Sequence, residues 1–281
     1  MLSRAEPVTP ALLRRQRLPD PGESKKSRGR VCVVGGSTRS PGAVMLAGEA
    51  ALRVGAGMAT LLVPEVLAIP IGTSFPEAGV HGMPEDSTAA LDETVVRRLA
   101  GAGAVLVGPG LDDPELTRDR VRAVAEATDA PVLLDAYGLG VLPDIDRAAL
   151  PDRLVLTPNR EEAALLLGVA ETDAGEGAVA EIARRYRATV SCYGLIADPR
   201  GRLWRVPRGG PGLGTSGSGD VLSGAIAGFL GRGVPPAEAA VWGTWVHTRA
   251  GNRLAARQGL GFIARDIVRE LTPALGEIVG P

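Results

Sequence analysis

Residues 30–64, RVCVVGGSTRSPGAVMLAGEAALRVGAGMATLLVP, set the fold class. Val31–Val34 is an unbroken apolar run ending in Gly35-Gly36-Ser37, as expected of a strand buried on both faces. Ala43 to Val54 carries small residues at helical spacing and reads as a helix. Met58–Val63 returns to an apolar run, and Pro64 stops it. A strand, a helix and a second strand in that order make a parallel crossover.

The same alternation extends outward. AVLVGPG (104–110), PVLLDA (131–136) and RLVLTPN (153–159) read as buried strands that end in turns. Between and after them, Pro114–Glu126, Glu161–Leu167, Glu176–Arg187, Asp220–Leu230, Pro236–Gln258 and Ile263–Leu271 read as helices, and Asp92 caps another. Residues 189–206 read as strands around a Pro-Arg-Gly turn. The Gly- and Pro-rich stretch 65–90 reads as loose structure. This pattern predicts one α/β domain over residues 29–281, with a mostly parallel sheet covered on both faces.

Composition removes several function classes. The chain has 281 residues, 45% apolar and 22% charged, which excludes disorder throughout. A net charge of -1 supplies no basic field for nucleic acid or an anionic membrane. Aromatics at 3% supply no stacking platform. Cys32 and Cys192 are too few for a disulfide framework or a multi-cysteine metal site. The only lysines are Lys25 and Lys26, so neither a Walker A loop nor Schiff-base catalysis by a core lysine is available. No apolar run of about 18 residues and no signal-peptide core is present, so a cytoplasmic protein is expected. Residues 1–28, with RRQR and KKSR clusters, read as a flexible basic tail.

In an open α/β sheet, ligands bind beyond the carboxyl ends of the strands. Here those ends carry Gly35-Gly36-Ser37, Gly108-Pro109-Gly110, Asp135-Ala136, Thr157-Pro158-Asn159 and the loop 209–220. The densest signal is GGPGLGTSGSGDVLSGAIAGFL, residues 209–230, a glycine loop running into an apolar helix. Unhindered amides and the helix dipole suit an anion there, and the loop itself contains no cation. Asp220, at the helix start, can take a proton from a substrate hydroxyl while those amides hold a transferring phosphoryl group. The competing reading makes Asp220 an N-cap and the glycines a tight turn.

Other positions are less specific. The GxGxxG match at Gly212–Gly217 lies late in the chain and lacks a Rossmann context. Asp135 can hold a metal-bound water or cap a turn. Asn159 can cap the helix begun by Glu161 and Glu162. His81 and His247 are separated and have no cysteine partners, which disfavours zinc, and His247 reads as packed. Ser216 and Ser218 lack a nucleophile elbow.

With these segments in order, residues 30–272 resemble the ADP-dependent NAD(P)H-hydrate dehydratases of the ribokinase-like superfamily. The matching stretches are VVGGSTRSPGAVMLAGEAALRVGAGMATLLVPE, LVGPGL, VLLDAYGL, LTPNREEAALLLG, GTSGSGDVLSGAIAGFLGRG and HTRAGNRLAA. The resemblance implies a three-layer ribokinase-like fold and a lyase that phosphorylates the ring hydroxyl of hydrated NADH or NADPH and then expels phosphate. It implies ADP or ATP as co-substrate and Mg2+ to screen the phosphates. Asp220 aligns with the family's catalytic aspartate. Ala43, Gly110 and Asn159 align with positions that contact the hydrated dinucleotide. Thr215, Gly217, Ser218 and Gly219 fall in the phosphate and nucleotide loop, and Tyr193-Gly194 stands where the family commonly has Lys-Gly near the nucleotide. The family often has His at Asn159 and Asp at Tyr137. The resemblance further implies a homo-oligomer, and an epimerase carried by a separate protein. Two alternatives stand beside it: a small-molecule kinase of the same fold, which releases a stable phosphorylated product, and a divergent binding protein without turnover.

Overall fold

The computed structural model describes residues 4–86 and 90–280. The chain opens with β1 (Glu6–Pro7) and α1 (Pro10–Arg15), then runs β2 (Arg30–Val34), α2 (Ala43–Arg53), β3 (Met58–Pro64), α3 (Glu65–Ser74) and β4 (Ala78–Met83). It continues α4 (Glu93–Ala100), β5 (Ala104–Val107), α5 (Pro114–Ala127), β6 (Val132–Leu134), α6 (Tyr137–Gly140), β7 (Leu154–Leu156), α7 (Arg160–Leu167) and α8 (Glu176–Arg185). The last third holds β8 (Thr189–Cys192), β9 (Leu195–Ala197), β10 (Leu203–Arg205), α9 (Ser218–Gly231), α10 (Pro236–Gln258) and α11 (Ala264–Val279).

The strands form one ten-stranded sheet in the order β1-β10-β9-β8-β7-β6-β5-β2-β3-β4. From β4 to β8 every pairing is parallel, while β9 runs antiparallel to both β8 and β10. The chain starts this parallel array at β2, builds outward through β3 and β4, then returns to place β5 on the other side of β2. The reversal point therefore lies between β2 and β5, the place where open sheets of this kind hold a ligand crevice. One apolar cluster, containing Ala47, Phe229 and Trp242, covers one face of the sheet. A second, containing Leu99, Val121 and Ile182, covers the other.

Helices α2 and α9 meet through backbone. A Cβ on Gly224 would stand 2.2 Å from the Ala47 carbonyl oxygen, and one on Gly228 would stand 2.7 Å from that of Ala51. The small residues at helical spacing in both segments are what permit this approach.

Two expectations are corrected. Residues 65–90 are not loose: α3 and β4 occupy most of them. Pro70 inside α3 and the glycines of β4 weaken local propensity, and packing of Ile71 and Phe75 into the core overrides it. Nor are residues 1–28 a loose tail throughout. Glu6 and Pro7 pair with Trp204 and Arg205, the Val8 amide donates to the Arg205 carbonyl at 2.8 Å, and Leu13 is fully buried. Thr9 caps α1 with Pro10 at its first turn, a local signal hidden by the flanking arginines. The final helix also runs past Leu271 to Val279, carrying Pro273 within it.

Leu13→Ala is expected to destabilise the protein by about 2–5 kcal/mol, read as a fall in the urea midpoint at unchanged slope. An unchanged midpoint would return this segment to the status of a tail.

Candidate active site

The loops beyond the carboxyl ends of β2 and β5 touch. The Gly36 amide donates to the Pro109 carbonyl at 2.8 Å, and a Cβ on Gly110 would lie 3.1 Å from the Ala43 Cβ and 2.5 Å from the Ser40 carbonyl oxygen. Ala43 and Gly110 are thus brought together at the crevice, with Ala43 opening α2.

The glycine loop divides by role. Gly212 is needed for packing, since its Cβ would meet the Phe262 ring at 2.5 Å, and Gly209 similarly faces Leu213. The loop follows β10, which pairs antiparallel with β9, so the Rossmann context is absent as expected. Gly217 is the N-cap of α9 with φ 84°, a left-handed conformation that favours glycine. A Cβ on Gly219 would meet nothing. The first amides of α9 therefore carry no side-chain cap, and the backbone beside them is open. Thr215 supplies the carbonyl that accepts the Ser218 amide at 3.1 Å. Ser218 is buried and its Oγ shares a hydrogen bond with His247 Nε2 at 3.1 Å. Burial holds His247 down at about 4, so the ring is neutral and braces the helix start.

Asp220 is not the N-cap. It stands in the first turn of α9, half-buried, and its carboxylate makes no hydrogen bond among the described residues. Burial first, and then the charge of Asp135, push it up to about 7. Asp135 ends β6 and is buried; Thr157 Oγ1 donates to it at 2.9 Å. Ser223 of α9 also bears on that carboxylate, while its Oγ donates to the Asp220 carbonyl at 3.2 Å. Burial pushes Asp135 up to about 6. The next residue, Ala136, takes φ 49° and ψ -122°, a strained backbone for alanine, of the kind that clusters at functional sites.

Asn159 does cap α7. Its Oδ1 accepts the Glu162 amide at 2.9 Å, and Glu162 Oε2 accepts the Asn159 amide at 2.8 Å, a reciprocal capping box. Burial pushes Glu162 up to about 7, with Asp135 adding to the shift. Tyr193 (φ 47°) and Gly194 (φ 81°) form the two-residue turn between β8 and β9. Tyr193 is exposed, and the Arg160 guanidinium lies 4.6 Å above its ring. Sequence reasoning missed Glu162, Ser223, Arg160 and the bond from Ser218 to His247. Only Glu162 had a local signal, the three-residue spacing from Asn159.

The sequence model of the family described as NAD(P)H-hydrate dehydratase matches residues 31–273. The chain belongs to the NAD(P)H-hydrate dehydratase family. It is 42% identical to the ADP-dependent (S)-NAD(P)H-hydrate dehydratase of Xanthomonas campestris, with 98% of each chain covered. Among solved structures, the Bacillus subtilis ADP/ATP-dependent NAD(P)H-hydrate dehydratase co-crystallised with ATP and Mg2+ is 25% identical. It superposes with a TM-score of 0.84 over 98% of this chain and 99% of that one. A ribokinase-like superfamily protein of Enterococcus faecalis, 22% identical, shares the fold with a TM-score of 0.84 over 99% of this chain and 97% of that one. The expected ribokinase-like architecture is thus borne out for this member of the dehydratase family. No helix among the described residues is long and apolar enough to cross a membrane.

The carboxyl groups give this family member a characteristic pH response. Asp135, Glu162 and Asp220 hold protons when folded that the unfolded chain has already released, so they lower stability as pH rises from about 4 toward 7. His247 opposes them between about 4 and 6.5, where only the unfolded ring is charged. Asp220→Asn is therefore expected to stabilise the ligand-free protein by about 1–2 kcal/mol near pH 8, with the gain shrinking toward pH 5. Melting curves of both proteins across this range check it; a gain independent of pH would refute it.

Proposed function

We propose that this protein catalyses the nucleotide-dependent dehydration of hydrated NADH or NADPH. The observation that carries the reading is the half-buried Asp220 carboxylate, without a hydrogen bond among the described residues, next to the Gly217 and Gly219 amides at a helix start with no side-chain cap, in a chain belonging to this family. The names of its relatives support ADP, and ATP in one case, as the phosphoryl donor.

In this reading the hydrated ring lies over Ala43 and Gly110, with Asn159 at its side. The amides of Gly217 and Gly219 hold the phosphoryl group to be transferred, with Ser218 and Thr215 shaping the turn that presents them. Tyr193 and Gly194 border the nucleotide. Asp220 accepts the proton of the ring hydroxyl as that oxygen attacks phosphorus. The new bond joins ring oxygen to phosphorus, and the anhydride bond breaks, leaving AMP from ADP or ADP from ATP. The ring nitrogen lone pair then expels phosphate with the electrons of the carbon–oxygen bond. Loss of a proton from the adjacent carbon restores the double bond. The buried Ser218–His247 pair keeps the first turn of α9 fixed through both steps.

Among the described residues no three acidic, histidine or cysteine side chains converge tightly enough to cage a metal. Mg2+ brought in with the nucleotide phosphates would find Glu162 and Asp135 as the nearby carboxylates able to hold it from the protein side. When bound, the ion neutralises phosphate charge during transfer.

Incubation with hydrated NADH or NADPH, Mg2+ and ADP or ATP is expected to restore the absorbance of the reduced ring and release phosphate. Asp220→Asn should lower kcat by roughly 10²–10⁴-fold with little change in nucleotide binding. In the parent, kcat/KM should rise with pH through about 7, where Asp220 ionises. Folded protein that restores no absorbance with either nucleotide would refute the assignment, and a stable phosphorylated product would convert it to a kinase.

A further inference from the structure

Away from the crevice, a cavity of about 1020 Å³ opens between the segment after α1, the C-terminal ends of α2 and α9, and α11. It adjoins the residues that lead into β2 and β3, whereas the candidate active site lies beyond the ends of the parallel strands. The lengths of α2 and α9 put roughly 15–20 Å between the two places.

Its lining is strongly unbalanced in charge. Arg14, Arg17, Arg28, Arg53 and Arg232 face it, with Asp20 as the acidic member. Arg53 is paired with Glu49 at 2.9 Å, and Asp20 accepts the Gly22 amide at 2.8 Å. The remaining arginines have no carboxylate partner among the described residues. Arg28 and Arg232 are held in place by consecutive carbonyls at the end of α2: Arg232 Nη1 donates to Val54 O at 2.8 Å, and Arg28 Nε to Gly55 O at 3.3 Å. Burial first, and then the neighbouring Arg28 charge, hold Arg232 below the usual guanidinium range. Two fixed cations side by side without a counter-charge favour an anion between them.

A second observation points the same way. Trp242 lines the cavity, is 1% exposed, and its Nε1 has no acceptor among the described residues. An indole N–H can only donate, and leaving it unpaired in a buried place is costly. Leu275 and Ile278 supply an apolar wall beside it.

We propose that this cavity binds an organic phosphate with an apolar body. The phosphate oxygens bridge Arg28 and Arg232, Arg14 and Arg17 close over them from the N-terminal segment, and the apolar body lies along α11 against Trp242. The site stands whether or not the proposed dehydration is correct, because none of its residues belongs to the glycine loop or the crevice.

Phenyl phosphate is a suitable probe. The chain has three tryptophans, so in a ¹⁵N-labelled sample each indole N–H gives its own resonance, and Trp242→Phe assigns the relevant one. Titration is expected to move the Trp242 signal saturably. Arg17→Ala combined with Arg28→Ala, both exposed positions, should weaken binding by about tenfold or more. An unmoved Trp242 signal up to about 10 mM probe overturns the proposal. So does an equal shift with phenol, or a shift that the double variant leaves unaltered. Movement of the signal with protein concentration alone, accompanied by dimer formation in sedimentation, would assign the cavity to a second copy of the chain and likewise overturn it.

Discussion

No side chain fits between Gly224 and Ala47, and much of the architecture follows from that closeness. Because α9 lies backbone to backbone on α2, the starts of both helices are set at one end of the sheet. There they meet the Gly36 and Gly110 turns, which themselves touch across the point where strand order reverses. Open amides, a half-buried acid and two glycine turns share a crevice because small residues let a pair of helices lie this close. Larger residues on either helix would move the anion-binding turn away from the turns that face it.

The electrostatics of this crevice favour an incoming cation or a proton. Asp135, Glu162 and Asp220 are drawn from β6, α7 and α9, and each loses water on folding. Asp135 is tied to Thr157 just beyond β7 and to Ser223 of α9, the helix that carries Asp220. Such a grouping is costly in an empty protein and becomes useful when a substrate hydroxyl or a metal–phosphate complex arrives. Neutral His247 behind Ser218 adds rigidity without adding charge.

Strands such as Val31–Val34 and Val132–Leu134 were legible because full burial leaves an uninterrupted apolar signature. Helices such as α5 and α10 were legible from their starts, with Pro114 and Pro236 at the first turn. Of the elements that escaped notice, β1 and α1 are held by β10 and α11 from the far end of the chain, while α3 and β4 pack on each other and on β3 against a local composition rich in Gly and Pro. The same distinction applies to the site. Asp220 and its glycines are contiguous, so they could be read directly. Ser218 with His247, and Asp135 with Ser223, join residues that only folding brings together. Several loop glycines that suggested anion binding in the sequence, Gly209 and Gly212 among them, serve packing instead.

The pairing of Glu6 and Pro7 with Trp204 and Arg205 has a consequence for how the molecule is made. These first residues leave the ribosome long before their partner strand exists, and they must wait in solution for nearly two hundred further residues. Their own backbone groups stay unpaired for the whole of that interval, open to any neighbouring nascent chain. Once in place, Pro7 contributes no N–H, and a strand of two residues gives little for another polypeptide to extend. A segment made well before its partner strand thus acts as the final seam of the sheet.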